Sequence, residues 1–139
     1  MSIENTVSYL LAKAGTAHRN LIEKRAQEIG LHGGQIFVLV ELWKTDGLRQ
    51  IDLASRLNLS AATVNRTIGG LIGNDFVTRQ NFENDARSTR ICLTKKGIEI
   101  RPHVEALWKA IDMEATGGLT DAEVTMLGQI LPRLVVEIV

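Results

Sequence analysis

Gln50-Ile51-Asp52-Leu53-Ala54-Ser55-Arg56-Leu57-Asn58-Leu59-Ser60-Ala61-Ala62-Thr63-Val64 reads as two short helices joined by a tight turn. Ala54 is small where two helices must cross at a steep angle. Asn58 ends the first helix, where a left-handed residue is needed and Asn tolerates that conformation next best after Gly. Ser60 is placed to cap the second helix, and Leu53, Leu57, Leu59, Val64, Ile68 and Leu71 are expected to supply a shared core. The spacing predicts helices over about 50–57 and 61–73, a helix-turn-helix.

On the second helix Ala62, Asn65, Arg66 and Gly69 fall at i, i+3, i+4 and i+7, opposite the apolar side. A small, polar face of this kind suits a major groove, where Arg pairs with guanine O6 and N7 and Asn with adenine N6 and N7. Gly69-Gly70 costs roughly 1 kcal/mol per Gly relative to Ala, and serves either close backbone approach or a loosened helix end.

Outward from this stretch the pattern stays helical. Val7, Leu10, Leu11, Ala14, Ala17, Leu21 and Ile22 make an amphipathic helix within 5–29, stopped by Gly30. Gly33-Gly34 opens a second helix carrying Ile36, Leu39, Val40 and Trp43, closed by the turn at Asp46-Gly47. Downstream, 77–82 and 89–93 are short β-favouring runs around the polar Glu83-Asn84-Asp85-Ala86-Arg87-Ser88, which reads as a hairpin with a long loop, the wing of a winged helix-turn-helix. Thr94 caps a following helix whose inner stripe is Ile98, Val104, Trp108 and Ile111, with a bend expected at Pro102. Thr120 with Glu123 forms a capping box for the last helix. That helix is apolar on most sides, through Val124, Met126, Leu127, Ile130, Leu131, Leu134, Val135, Val136, Ile138 and Val139. At about 25 cal/mol per Å² of buried apolar surface, leaving it in water would forfeit several kcal/mol, so a partner subunit is expected to cover it, with the first helix supplying the other half of the interface.

Composition sets the class. The chain has 139 residues, 16 Lys+Arg against 16 Asp+Glu, and 45% hydrophobic residues, the size of one domain with a real core. Zero net charge would argue against nucleic acid, but the charges are unevenly placed. Residues 44–101 carry ten basic residues against six acidic, about +4, whereas 102–139 carry two against six, about −4. A phosphate backbone attracts the first region and repels the second. The single Cys92, with His18, His32 and His103 scattered, offers neither a disulfide nor metal-ligand spacing, and a reducing cytoplasm is the expected location. No apolar run approaches the roughly 18 residues of a membrane span, and no phosphate-binding, zinc-protease or nucleophile-elbow motif is present. Aromatic content of 4% provides no stacking platform for single strands or RNA.

From about Leu31 to Gly97 the sequence resembles the multiple antibiotic resistance regulator (MarR) family of bacterial winged-helix transcription factors. The resemblance is carried by 35–42, then Gln50-x-x-Leu53-Ala54, Leu57-x-Leu59-Ser60-x-x-Thr63-Val64-x-Arg66, Leu71, Phe76-Val77-x-Arg79, Asp85-x-Arg87 and Leu93-Thr94-x-x-Gly97. It implies a mainly α fold with a small β-wing, residues 31–94 forming the DNA-binding region and 1–30 with 95–139 a helical dimerisation region. In the family the wing arginine enters a minor groove and the aspartate braces the wing, which implies those roles for Arg87 and Asp85, since a narrow minor groove concentrates negative potential. His32 and Arg49 stand where the family has Thr or Ser caps, and Asn74-Asp75 where it has a Lys-Gly type turn. The family also implies an effector, a small aromatic or phenolic molecule bound between the dimer helices and the winged domain; His18, Trp43 and Trp108 are candidates to border such a pocket.

The reading is a homodimeric, sequence-specific regulator of double-stranded DNA, a repressor without cofactor, metal or catalytic residues. Ser60, Ala61, Ala62, Thr63, Asn65 and Arg66 on the helix and Asp85, Arg87, Ser88 and Arg90 on the wing are the expected contact residues. A winged-helix protein-interaction module without DNA binding is the alternative; a metal sensor or a small enzyme would need ligands or a catalytic set that the sequence does not group together.

Overall fold

The computed structural model describes residues 1–82 and 89–135. After a single 3₁₀ turn at Ile3–Asn5, the chain forms α1 (Val7–Gln27), α2 (Gly33–Lys44), α3 (Gln50–Leu57), α4 (Ala61–Gly73), β1 (Val77–Asn81), β2 (Thr89–Leu93), α5 (Lys95–Glu99), α6 (Arg101–Ala115) and α7 (Asp121–Val135). The fold is mainly helical with one two-stranded antiparallel sheet, in which Val77 pairs with Leu93 and Asn81 with Thr89. Leu48 extends this sheet by a single bridge, accepting the Ile91 N–H at 2.7 Å, a third partial strand that one residue between two helices could not announce.

Local chemistry accounts for the element ends. Thr6 accepts the Tyr9 N–H at 3.2 Å and starts α1, and Gly30 at φ +76° stops the following turn. The expected capping box of α7 is present, Thr120 N–H donating to Glu123 Oε1 at 2.9 Å and Glu123 N–H to Thr120 Oγ1 at 3.2 Å. Those bonds favour the ionised Glu123 carboxylate and lower its pKa. At the family's cap position in α2, His32 is served from elsewhere: Glu23 on α1 accepts the Gly33 N–H at 2.7 Å and meets His32 Nδ1 at 2.7 Å.

The core lies among α2, α3, α4 and the sheet, with Ile36, Leu39, Leu42, Leu53, Val64, Ile68, Leu71 and Ile91 buried and Val104 of α6 closing it from the other side. Two expected core positions lie outside it. Leu59 is 40% exposed because it follows the left-handed Asn58 in the turn, where its N–H folds back onto the Ala54 carbonyl at 3.0 Å and it lines a cleft between α1 and the start of α4. Ile98 is 58% exposed because the chain divides at Ile100, two residues before Pro102, and α6 begins a new helical phase. The division puts Pro102 in the first turn of α6, where its missing N–H needs no partner. Val104 and Ile111 are buried as expected.

One face of the molecule stays apolar and uncovered within this single chain. On α1, Val7, Leu10 and Leu11 are exposed and only Ile22 and Ala26 are buried; on α7, Met126, Leu127, Ile130, Leu131 and Leu134 are exposed. The base of α1 is tied to α6 by Arg25, whose Nη2 lies 2.7 Å from Glu114 Oε2.

Candidate nucleic-acid interface

The presentation of α4 begins with its turn. Asn58 adopts φ 53°, ψ 47°, the left-handed conformation expected of it. Ser60 Oγ accepts the Thr63 N–H at 3.1 Å and donates to Thr63 Oγ1 at 2.9 Å, so both hydroxyls serve the start of the helix. Beyond it Val64, Ile68 and Leu71 turn inward, and Ala61, Ala62, Asn65, Arg66 and Gly69 turn outward. Arg66 makes no hydrogen bond or ion pair with any described residue and is exposed.

The two glycines of α4 have different reasons. A Cβ on Gly70 would sit 2.6 Å from Nε2 of the buried Gln35, so any larger residue here requires the Gln35 amide to shift. A Cβ on Gly69 would meet nothing within 4 Å; it lies on the outward face, where its smallness opens the surface and packs nothing.

Asn65 belongs to a polar cluster that sequence reasoning missed. Arg79 of β1 donates through Nη2 to Asn65 Oδ1 at 3.1 Å, and through Nη2 and Nε to Gln50 Oε1 at 3.0 and 3.3 Å. Gln50, the first residue of α3, donates in turn from Nε2 to Asn65 Oδ1 at 3.4 Å. Three side chains 15 and 29 residues apart in sequence thus join the front of α3, the outward face of α4 and the wing strand. Gln50 and Arg79 stand in the recognisable pattern, but nothing in their spacing shows that their tips converge on Asn65.

On the wing, Arg90 of β2 donates from Nη1 to the Gly47 carbonyl at 3.1 Å, and Asp46 Oδ1 accepts the N–H groups of Gly47 and Leu93, each at 2.9 Å. The turn before α3 is thereby anchored to β2, which sets the wing beside α4. The expected contact residues Asp85, Arg87 and Ser88 lie outside the described residues.

Two clefts flank the winged region. One, of about 470 Å³, lies between α2 and α6 and is lined by Phe37, Val40, Trp43, Lys44, Arg101 and Trp108 among others. Phe37 and Trp108 meet edge to face with centroids 5.7 Å apart, Trp43 Nε1 donates to the Gly97 carbonyl at 3.0 Å, and Arg101 lies over the Trp43 ring at 5.7 Å. The structure therefore brings together two of the three expected pocket residues, Trp43 and Trp108. His18 is exposed on α1 and lines neither cleft. The second cleft, of about 570 Å³, lies where α1 meets α2 and the start of α4, with Arg19, Asn20, Phe37, Leu59, Thr63 and Thr67 in its wall.

No group of His, Cys, Asp and Glu suited to a metal ion occurs among the described residues, and no helix among them is long and apolar enough to cross a membrane. Cys92 is buried in β2, and burial, with Asp46 nearby, pushes its thiol pKa up.

This frame of helix-turn-helix, hairpin and flanking helices has known counterparts, and residues 31–89 match the sequence model of the MarR family. Over those residues the chain is similar to the MarR family. It is similar to the HTH-type transcriptional regulator BilQ of Clostridium symbiosum, 24% identical over 108 residues that span 78% of this chain and 75% of that protein. Its fold superposes on a probable transcriptional regulator from Pseudomonas aeruginosa with a TM-score of 0.87 at 22% identity, covering 96% of this chain and 99% of that one. It also superposes on BpsR of Bordetella bronchiseptica, whose DNA binding is regulated by 6-hydroxynicotinic acid, with a TM-score of 0.85 at 21% identity over 96% and 97% of the two chains. The fold of this chain is that of MarR-type transcriptional regulators.

Proposed function

We propose that this protein is a MarR-type transcriptional regulator that acts in the cytoplasm as a homodimeric repressor on a pseudopalindromic duplex, with residues 31–94 as the DNA-binding region and 1–30 with 95–139 as the dimerisation region. The α4 helices enter successive major grooves about one helical turn apart, and the wings, through Arg87 braced by Asp85, enter the flanking minor grooves. Arg66 carries the reading: an exposed guanidinium without a described partner, on a face shared with Ala61, Ala62, Asn65 and Gly69, matches a groove-facing donor more closely than a structural ion pair. Ser88 and Arg90 add polar and positive groups on the wing side, and the uncovered apolar faces of α1 and α7 supply the dimer contact.

Release is assigned to a small aromatic acid in the cleft between α2 and α6. Its Phe37, Trp43 and Trp108 walls suit a ring, and Lys44 and Arg101 suit an anionic group. The hydroxylated aromatic acid that regulates BpsR is the chemical precedent.

The test is retardation of duplex DNA from the region upstream of the protein's own coding sequence, followed over a salt series. Affinity should fall linearly on logarithmic axes as salt rises. Absence of any salt-dependent complex, with that DNA or with duplexes selected from a random pool, would overturn the reading. Addition of 6-hydroxynicotinic acid or salicylate as probe ligands should release the DNA, and Trp108→Ala should abolish that release.

A further inference from the structure

We propose that Arg79 and Gln50 are positioning residues that hold the Asn65 amide with its oxygen turned inward, so that Asn65 offers only N–H donors to a base edge and selects guanine over adenine. The inference rests on the DNA-binding reading and concerns its specificity.

The orientation follows from donor and acceptor chemistry. A guanidinium has five N–H donors and no acceptor. An amide facing Arg79 must therefore present oxygen, and Asn65 does so at 3.1 Å. The same logic fixes Gln50: its Oε1 is drawn to Arg79 at 3.0 Å, which leaves its NH₂ group to face Asn65, and that group donates to the same Asn65 oxygen at 3.4 Å. Rotating the Asn65 amide by half a turn would set NH₂ against two donors and lose both bonds. The cluster thus has one self-consistent arrangement, in which Asn65 Oδ1 accepts twice from inside and Nδ2 keeps its hydrogens for the exposed side.

The consequence reverses the expectation drawn from the residue type alone. Pairing Asn with adenine requires the amide oxygen to accept from N6 while the nitrogen donates to N7. With Oδ1 committed to Arg79 and Gln50, only the donor half remains. Guanine presents two acceptors in the major groove, N7 and O6, and receives two donors from one NH₂ group. Adenine presents N7 beside an N6 donor that would oppose Nδ2. The neighbouring Arg66 is itself a donor, so the outward face of α4 reads as a run of donors suited to a guanine-rich half-site.

The experiment selects duplexes from a random pool with the wild-type protein, then measures affinity for all four base pairs at each position for wild type, Asn65→Ala, Arg79→Met and Arg79→Lys. One position should lose its preference in Asn65→Ala. There the wild type should favour guanine over adenine by about tenfold, the size of one good base contact. Arg79→Met frees the amide, and the guanine-to-adenine ratio at that position should fall about tenfold while the other positions keep theirs. Arg79→Lys, which retains a donor toward Oδ1, should restore guanine. A protein that merely needs Arg79 for folding would lose affinity evenly at all positions, and thermal melts of each variant register that case. Adenine preferred by the wild type, no position dependent on Asn65, or a ratio untouched in Arg79→Met would each overturn the positioning role with DNA binding intact. A wild-type protein that retains no duplex overturns the DNA-binding reading itself.

Discussion

Glu23, near the C-terminal end of α1, caps α2: its Oε2 accepts the Gly33 N–H at 2.7 Å, and its Oε1 lies 2.7 Å from His32 Nδ1. A carboxylate from the long first helix thereby satisfies the open N-terminus of the first helix of the winged region, where negative charge is favoured by the helix dipole. The first two helices are thereby joined at a charged contact. Where His32 replaces a Ser or Thr cap, the acceptor comes from another element.

The first prediction follows from this contact. The Gly33 N–H, and then His32, hold the Glu23 pKa below the usual glutamate range. A depressed folded-state pKa contributes stability that is present above the unfolded value, about 4.3, and is lost as pH falls through the lower folded value. Glu23→Ala should therefore lower stability by about 1 kcal/mol at pH 7, the usual worth of a cap, with the side chain's partial exposure holding it to that scale. The wild-type advantage over Glu23→Gln should shrink as pH is lowered below about 4. Urea denaturation midpoints across pH measure both; an unchanged advantage at low pH would contradict the assignment.

Glycine substitutions should separate by position. Gly69→Ala meets open space and should stabilise the protein by roughly 0.5–1 kcal/mol through helix propensity. Gly70→Ala, pressed against Gln35, should cost about 1–3 kcal/mol. Gly97→Ala should be the worst of the three, because its Cβ would collide with the Phe76 carbonyl oxygen, a backbone atom that cannot swing aside. Thermal melts rank them.

Cys92 should behave as a packed hydrophobe. Burial, with Asp46 secondary, raises its pKa and keeps it a thiol at neutral pH. Iodoacetamide should label it far more slowly in the folded protein than in urea, and mild peroxide should leave DNA retardation unchanged. Rapid labelling of the native protein would show a reactive thiol instead.

Leu127 and Leu131 lie one turn apart on the uncovered side of α7. Replacing either with Glu should weaken the proposed dimer by about 2 kcal/mol or more, the worth of burying one leucine. Sedimentation should show a shift to monomer with helical content retained, and DNA retardation should weaken with it. A wild-type protein that sediments as a monomer at micromolar concentration would overturn the dimer.

Arg66→Ala should leave the melting temperature unchanged, since Arg66 touches no described partner, while costing roughly 1–3 kcal/mol of specific affinity and relaxing preference at one base pair. Arg87→Ala should weaken binding to most sequences alike. Equal losses at every position for Arg66→Ala would move Arg66 from base reading to phosphate contact.

Much of the architecture was legible because it is written in local rules. The Asn58 turn, the Ser60 and Thr120 caps, the hairpin and the wide apolar face of the last helix each depend on residues within a few positions of one another. The misplacements of Leu59 and Ile98 share one cause: periodicity assumes an unbroken helical phase, and a left-handed turn or a proline-started helix resets it. Trp43 and Trp108 share one cleft because α2 and α6 pack together, whereas His18 on α1 lines neither cleft.

By itself, the sequence determined the order of elements, the residues pointing outward from α4, and the basic and acidic regions of the chain. Only tertiary structure decided that Glu23 would cap α2, that Gly70 would lie against Gln35, and that Arg79 and Gln50 close on Asn65. The physical reason is range. Helical phase and capping act over three or four residues of chain, but hydrogen bonds between side chains form wherever folding brings donors and acceptors to about 3 Å, at separations that no local pattern records.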